Sequence, residues 1–144
     1  MGGYLTAVAA SVIWGLVYAV RQKTLPFISP LGMMFINALV SIAFITPFIL
    51  ANKAHTAQLM AARWSDIGWV VLSAFLALLG TWLLFSSIDK LGASMAAMIE
   101  ISYPLFVILF CWLLMGNTVN WAVLVGGGFI FTGSCIIMIY GKSG

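Results

Sequence analysis

One carboxylate and one proline lie in the middle of a long apolar stretch, where both residue types are costly. Glu100 and Pro104 fall within residues 93–115, which otherwise contain mainly apolar and small side chains. A charged side chain at the centre of a bilayer costs about 2.5 to 3.5 kcal/mol. A proline inside a helix removes a backbone hydrogen bond. Because the two residues are one helical turn apart, we interpret them as a candidate functional site.

The surroundings of Glu100 predict a position away from water that still has room for a ligand. At 1.5 Å per residue, Glu100 lies roughly 10 Å along its helix. Residues three and four apart share a helix face; for Glu100 these are Ala96, Ala97, Tyr103 and Pro104. The carboxyl group there could exchange protons or pair with a cationic substrate. Pro104 has no N–H for the carbonyl of Glu100, and we expect it to kink the helix.

A structural role for Glu100 is the alternative interpretation. A protonated carboxyl group can hydrogen-bond to Asn37, to Tyr103 or to a neighbouring hydroxyl and so hold helices together. Acidic residues within membranes are functional by default but not in every case. Both interpretations therefore stay open at this point.

The composition predicts an integral membrane protein. Of the 144 residues, 64% are hydrophobic and only 6% are charged, whereas a soluble domain has about 25% charged residues. The basic residues are spread along the chain and form no patch for nucleic acid. The sequence contains no P-loop, GxGxxG motif, Ser/His/Asp set or metal-ligand spacing, so we predict no enzymatic activity, metal or cofactor. A multi-pass location in the cell inner (plasma) membrane is expected.

Five apolar stretches are long enough to cross a bilayer, for which about 20 residues suffice. We predict helices over residues 4–20, 31–51, 67–88, 93–115 and 121–140, within one all-α domain of residues 1–144. Short segments join these helices. The longest of them, 52–66, could hold a short interfacial helix, and Asn120 is expected to cap the last span.

Further polar and aromatic side chains are candidates for lining a cavity. Trp14 and Tyr18 are four residues apart and share a face of the first helix. An anchoring role at the membrane interface is equally compatible with both. Asn37 could contact a substrate or form a hydrogen bond between helices. Ser73 begins a ridge of small residues in the third helix, and Trp82 is a bulky exception beside that ridge.

The positive charges give a weak preference for one orientation in the membrane. Five spans place the two chain termini on opposite sides. With the N-terminus outside, the inner basic residues are Arg21, Lys23, Lys90 and Lys142, and the outer ones are Lys53 and Arg63. Because Lys and Arg concentrate on the cytoplasmic side, this distribution favours an outside N-terminus but also permits insertion in both orientations.

Several short motifs follow one another in a characteristic order. They are Trp14-Gly15, Leu79-Gly80, Ala93 to Tyr103-Pro104, Trp112 to Gly116, and Gly126 to Gly128 with Gly133. In this order and spacing the chain resembles one EamA repeat, the unit that builds the drug/metabolite transporter superfamily. The resemblance covers essentially the whole chain. Two positions depart from the family pattern, since Asn117 stands where an acidic residue is common and Asn37 where an arginine is common.

The resemblance implies both an architecture and a partner. Typical family members have ten helices, arranged as two five-helix repeats of opposite orientation around a central site, which is a general transporter plan. This chain resembles one repeat only. We therefore expect a homodimer in the lipid bilayer, and an antiparallel pair would rebuild the ten-helix inverted-repeat architecture.

The function predicted from these observations is transport of a small amphipathic or cationic metabolite by alternating access. Proton coupling through Glu100 is an additional prediction, and the other candidate cavity residues are Tyr103, Trp14, Tyr18, Ser73, Trp82 and Asn37. Two alternatives remain. The chain could be a non-transporting membrane subunit of a larger assembly, or it could be a flippase for lipid-linked sugars.

Overall fold

All regular structure in the described part of the chain is helical. The structure, a computed structural model, describes residues 2–116 and 118–141, so Asn117 and Lys142 lie outside the described residues. The helices are α1 (Gly2–Thr24), α2 (Pro30–Ala51), α3 (Lys53–Ala61), α4 (Trp64–Leu91), α5 (Ala93–Glu100), α6 (Tyr103–Met115) and α7 (Trp121–Tyr140). Among the described residues, five stretches are long and apolar enough to cross a membrane: α1, α2, α4, α5 with α6, and α7. The prediction of an all-helical chain with five candidate spans is confirmed.

Side-chain caps begin several of these helices. The Oγ of Ser29 accepts a hydrogen bond from the N–H of Gly32 at 3.2 Å, and Pro30 follows as the first residue of α2. Asn120 accepts a hydrogen bond from the N–H of Ala122 at 2.9 Å. The predicted cap of the last span is therefore confirmed.

Two glycines adopt backbone angles that other residues rarely accept. Gly92, with φ of 80°, is the single residue between α4 and α5. Gly116, with φ of 65°, ends α6 and donates its N–H to the carbonyl of Trp112 at 3.0 Å. Because glycine has no Cβ, these positive φ values are available to it without a steric penalty.

The chain divides into two compact units. The first unit consists of Met1–Lys23 and Ser87–Gly144, and it contains α5, α6, α7 and nearly all of α1. The second unit is Thr24–Ser86, with α2, α3 and most of α4. Within the first unit α7 packs against both α5 and α6, and within the second unit α3 contacts α2.

Few side chains of the membrane spans are buried within the chain. The most apolar window of each span has between 0% and 11% of its residues buried. The buried residues of the first unit include Tyr18, Ala93, Ala96 and Ser134. Lipid tails are as apolar as leucine, so the exposed apolar surface suits contact with hydrocarbon or with another membrane helix.

Candidate functional site

A break divides the predicted fourth span near its middle. Helix α5 ends at Glu100, Ile101 and Ser102 form a turn, and α6 begins at Tyr103 with Pro104 in its first turn. The nitrogen of Pro104 carries no hydrogen, so the carbonyl of Glu100 lacks the donor that a continuous helix would supply. Residues 93–115 therefore form two half-helices, and Glu100 is the last residue of the first.

The backbone hydrogen bonds at the break change from four-residue to three-residue spacing. The N–H of Ile101 donates to the carbonyl of Ala97 at 3.0 Å, whereas the N–H of Ser102 donates to the carbonyl of Ile99 at 3.2 Å. The Oγ of Ser102 donates to that same carbonyl at 2.8 Å. In a continuous α-helix Ser102 would instead pair with Met98. The carbonyl of Met98 is thereby left for a different donor.

The donor for Met98 is a serine of α7. Ser134 is only 3% exposed, and its hydroxyl donates to the carbonyl of Met98 at 2.8 Å. The same hydroxyl lies 3.1 Å from the carbonyl of Ile130 in its own helix. An unpaired hydroxyl in apolar surroundings is costly. This contact therefore provides a hydrogen-bond partner for both the hydroxyl of Ser134 and the carbonyl of Met98. Sequence reasoning missed Ser134 because nothing in the sequence shows that α5 presents a carbonyl to it.

Helix α7 also contacts the second half-helix. A Cβ added at Gly127 would lie 2.5 Å from the Cδ2 of Leu105 in α6. Gly127 and Ser134 are seven residues apart, which is close to two helical turns, so they lie on the same side of α7. One side of α7 therefore contacts α5 through Ser134 and α6 through Gly127, across the break.

The other end of α5 is held by α1. The side-chain oxygen of Gln22 accepts a hydrogen bond from the N–H of Ala93, the first residue of α5, at 2.9 Å. A groove of about 350 Å³ opens beside this contact, lined by Gln22, Leu91, Gly92, Ala93, Ser94, Met95, Met98 and Ile137. Glu100 is not among these lining residues. The sequence analysis did not identify Gln22 as a candidate either, because it is a polar residue at the end of a predicted span.

Glu100 and Tyr103 lie on either side of the turn, and both are exposed. Tyr103 has 58% of its surface exposed, and Glu100 is likewise exposed at the end of α5. Within the first unit, the carboxyl group of Glu100 forms no hydrogen bond to a described residue. The hydrogen bond between Glu100 and Tyr103, which a purely structural role for Glu100 would allow, is therefore not formed.

Trp14 and Tyr18 differ in exposure although they share a face of α1. Tyr18 is 9% exposed and Trp14 is 53% exposed. The guanidinium carbon of Arg21 lies 5.3 Å from the centre of a Trp14 ring, within range of a cation–π contact. Arg21 is three residues beyond Tyr18, so the predicted aromatic face also carries a positive charge.

The remaining three candidates belong to the second unit. Asn37 and Ser73 are exposed, and Trp82 is 42% exposed. The Oγ of Ser73 donates to the carbonyl of Val70 at 2.8 Å, within α4 itself. These three residues stay predictions for a transport site.

Several candidate membrane spans, one of them broken beside a carboxylate, are features typical of membrane transporters. The sequence model of the EamA-like transporter family matches residues 1–139. The chain belongs to this family, as its motifs indicated, and it is a membrane protein of the drug/metabolite transporter type. No curated protein and no solved structure was found to match it.

Proposed function

We propose that this protein carries a small amphipathic or cationic metabolite across the inner (plasma) membrane by alternating access. Two copies in opposite orientation would enclose the pathway, and Glu100 would exchange its proton for the substrate. The observation that carries this proposal is the position of Glu100 at the end of the half-helix α5, inside a membrane span. Substrate and ion sites of transporters are typically built at such breaks.

The exposure of Glu100 supports the need for a second copy. A carboxylate facing hydrocarbon at mid-span would cost about 2.5 to 3.5 kcal/mol. Within its own unit Glu100 is exposed and has no hydrogen-bond partner among the described residues. A second copy that faces α5 could provide a water-filled cavity around the carboxyl group. The proposed site is therefore complete only in the dimer.

The backbone of the break supports a role in binding positive charge. Ser134 and Ser102 donate to the carbonyls of Met98 and Ile99. The carbonyl of Glu100 receives no hydrogen bond from Pro104, so it is available as an acceptor beside the carboxylate. A carboxylate and a neighbouring carbonyl oxygen together suit a protonated amine.

Glu100→Gln tests the coupling role. The variant keeps the shape of the side chain but cannot release a proton, so proton-driven transport should be lost while the protein still assembles. Uptake of small cationic amphiphiles into proteoliposomes under an imposed pH gradient measures this. Asp89→Asn is the matched control, because it removes an exposed carboxylate near the end of α4 instead.

Four outcomes would change the proposal. Full transport by Glu100→Gln would contradict coupling through this residue. Equal loss in Asp89→Asn would mean that net charge, and not the position of Glu100, is what matters. If the unmodified protein moves no cationic compound but scrambles lipid-linked sugars, the flippase alternative is correct, and the absence of both activities favours a non-transporting subunit.

A further inference from the structure

Helix α5 is tied at both ends by side chains from other helices of its unit. At its start, the N–H of Ala93 donates to Gln22 of α1 at 2.9 Å. Near its end, the carbonyl of Met98 accepts from Ser134 of α7 at 2.8 Å. Glu100 follows Met98 by two residues and ends the helix.

We propose that Gln22 and Ser134 are positioning residues, which fix the place of Glu100 by holding α5 from its two ends. The importance of this placement rests on the proposed function, in which Glu100 carries the proton. The geometric claim itself concerns only α1, α5 and α7, so it can be tested without any transported substrate.

The shortness of α5 explains why it needs these ties. Its 8 residues span about 12 Å, and isolated helices of this length are not stable by themselves. The first N–H groups and last carbonyls of any helix lack partners within it. In α5 one group of each kind is paired with a neighbouring helix. Removing either hydrogen bond should therefore allow one end of α5 to move, and the side chain of Glu100 would then change direction.

The hydrogen bond of Ser134 can also be released without leaving a buried donor unpaired. Its single hydroxyl hydrogen is shared between the carbonyls of Met98 at 2.8 Å and Ile130 at 3.1 Å. If α5 moves away, the hydroxyl can stay bonded to Ile130 within α7. The tie can therefore hold Glu100 at rest and still permit the movement that alternating access requires.

Spin-label distances between α1 and residue 100 test the positioning role. The labels are placed at Val8→Cys, on an exposed position of α1, and at Glu100→Cys, after Cys111 and Cys135 have been replaced by alanine. The labelled protein is diluted with unlabelled protein in bilayers, so that only distances within one chain are measured. The readout is the width of the distance distribution.

Gln22→Met removes the acceptor while keeping side-chain length, and Ser134→Ala removes the hydroxyl. Losing a hydrogen bond between membrane helices should raise the population of displaced α5 roughly three- to tenfold and broaden the distribution. Gln22→Glu should restore the narrow distribution, because it keeps an acceptor oxygen and a negative charge at a helix start is favourable. Thr132→Val is the control, since among the described residues the Thr132 hydroxyl bonds only to the carbonyl of Gly128, within α7 itself.

Unchanged distributions in both Gln22→Met and Ser134→Ala would overturn the proposal, as would equal broadening in Thr132→Val. If the variants do not fold, amide exchange of the unmodified protein decides. The N–H of Ala93 should exchange more slowly than that of Ser94, its neighbour in the same first turn, because only Ala93 donates to Gln22. Equal exchange rates for the N–H groups of Ala93 and Ser94 would contradict the hydrogen bond between Ala93 and Gln22. These results are independent of Glu100→Gln transport, so either idea can fail alone.

Discussion

At the scale of single residues, α7 presents a glycine to one half of the broken span and a serine to the other. An added Cβ at Gly127 would lie 2.5 Å from the Cδ2 of Leu105, so the end of the Leu105 side chain would have to move. An added Cβ at Gly128 meets no atom within 4 Å. Adjacent glycines in one helix therefore have different surroundings, and of these two only Gly127 faces α6.

Gly127→Ala should be less stable than Gly128→Ala. Both changes add the same methyl group to the same helix, so intrinsic helix propensity cancels in the comparison. Because the end of the Leu105 side chain must move, Gly127→Ala should cost about 1 kcal/mol, at the low end of the range for overpacked sites. Reversible unfolding in mixed micelles measures the difference. Equal stability of the two variants would show that Leu105 moves aside without cost and that the contact does not need a glycine at position 127.

At the scale of elements, the break between α5 and α6 depends on more than its proline. Pro47 lies inside α2, yet that helix runs without interruption from Pro30 to Ala51. The span with Pro104 is divided at Ile101 and Ser102. At this break Ser134 and Ser102 donate alternative hydrogen bonds to the carbonyls of Met98 and Ile99, upstream of the proline. A proline in a membrane helix is tolerated when neighbouring groups satisfy the backbone in this way.

Pro104→Ala should close the break. The new N–H can donate to the carbonyl of Glu100, which should add about 1 kcal/mol of stability and slow amide exchange across the turn. Proteoliposome uptake should fall, because Glu100 would no longer end a half-helix. Pro47→Ala is the control and should leave uptake unchanged. Normal uptake by a Pro104→Ala protein with a continuous helix would show that transport does not depend on the break between α5 and α6.

The sequence predicted the spans better than it predicted the contacts of the broken one. Long apolar runs identify all five candidate spans because the bilayer core has a fixed thickness. Glu100 and Pro104 were recognisable by residue type alone. Gln22 and Ser134 were not, since each acts on a backbone group of α5 that becomes available only where the helix starts or breaks. Such contacts depend on tertiary structure and have no local signature.

At the scale of the whole molecule, the described residues contain five candidate membrane spans. The match to the EamA-like transporter family extends over residues 1–139 and so reaches nearly to the end of α7. Basic residues divide four against two between the predicted sides of the membrane. Because the distribution of Lys and Arg sets the orientation of a membrane protein, insertion in both orientations requires a small difference in basic residues between the two sides.

Changing the charge balance should therefore control transport. Lys53→Gln with Arg63→Gln removes both outer basic residues, so the chain should insert with its N-terminus outside only and lose transport. Co-expression with a chain of opposite bias, carrying Lys23→Gln, Lys90→Gln and Gln58→Lys, should restore it. Terminal tags tested for accessibility from each side report the orientation. Full transport by the first variant alone, in one orientation, would rule out an antiparallel pair.

Proton release on substrate binding tests the central claim, the role of Glu100, most directly. Binding of a transported cationic compound to the purified protein is measured by calorimetry in buffers of different ionisation enthalpy, which reveals protons released with binding. We expect proton release from the unmodified protein and none from Glu100→Gln. Binding without proton release, or the same release from Glu100→Gln, would contradict the account.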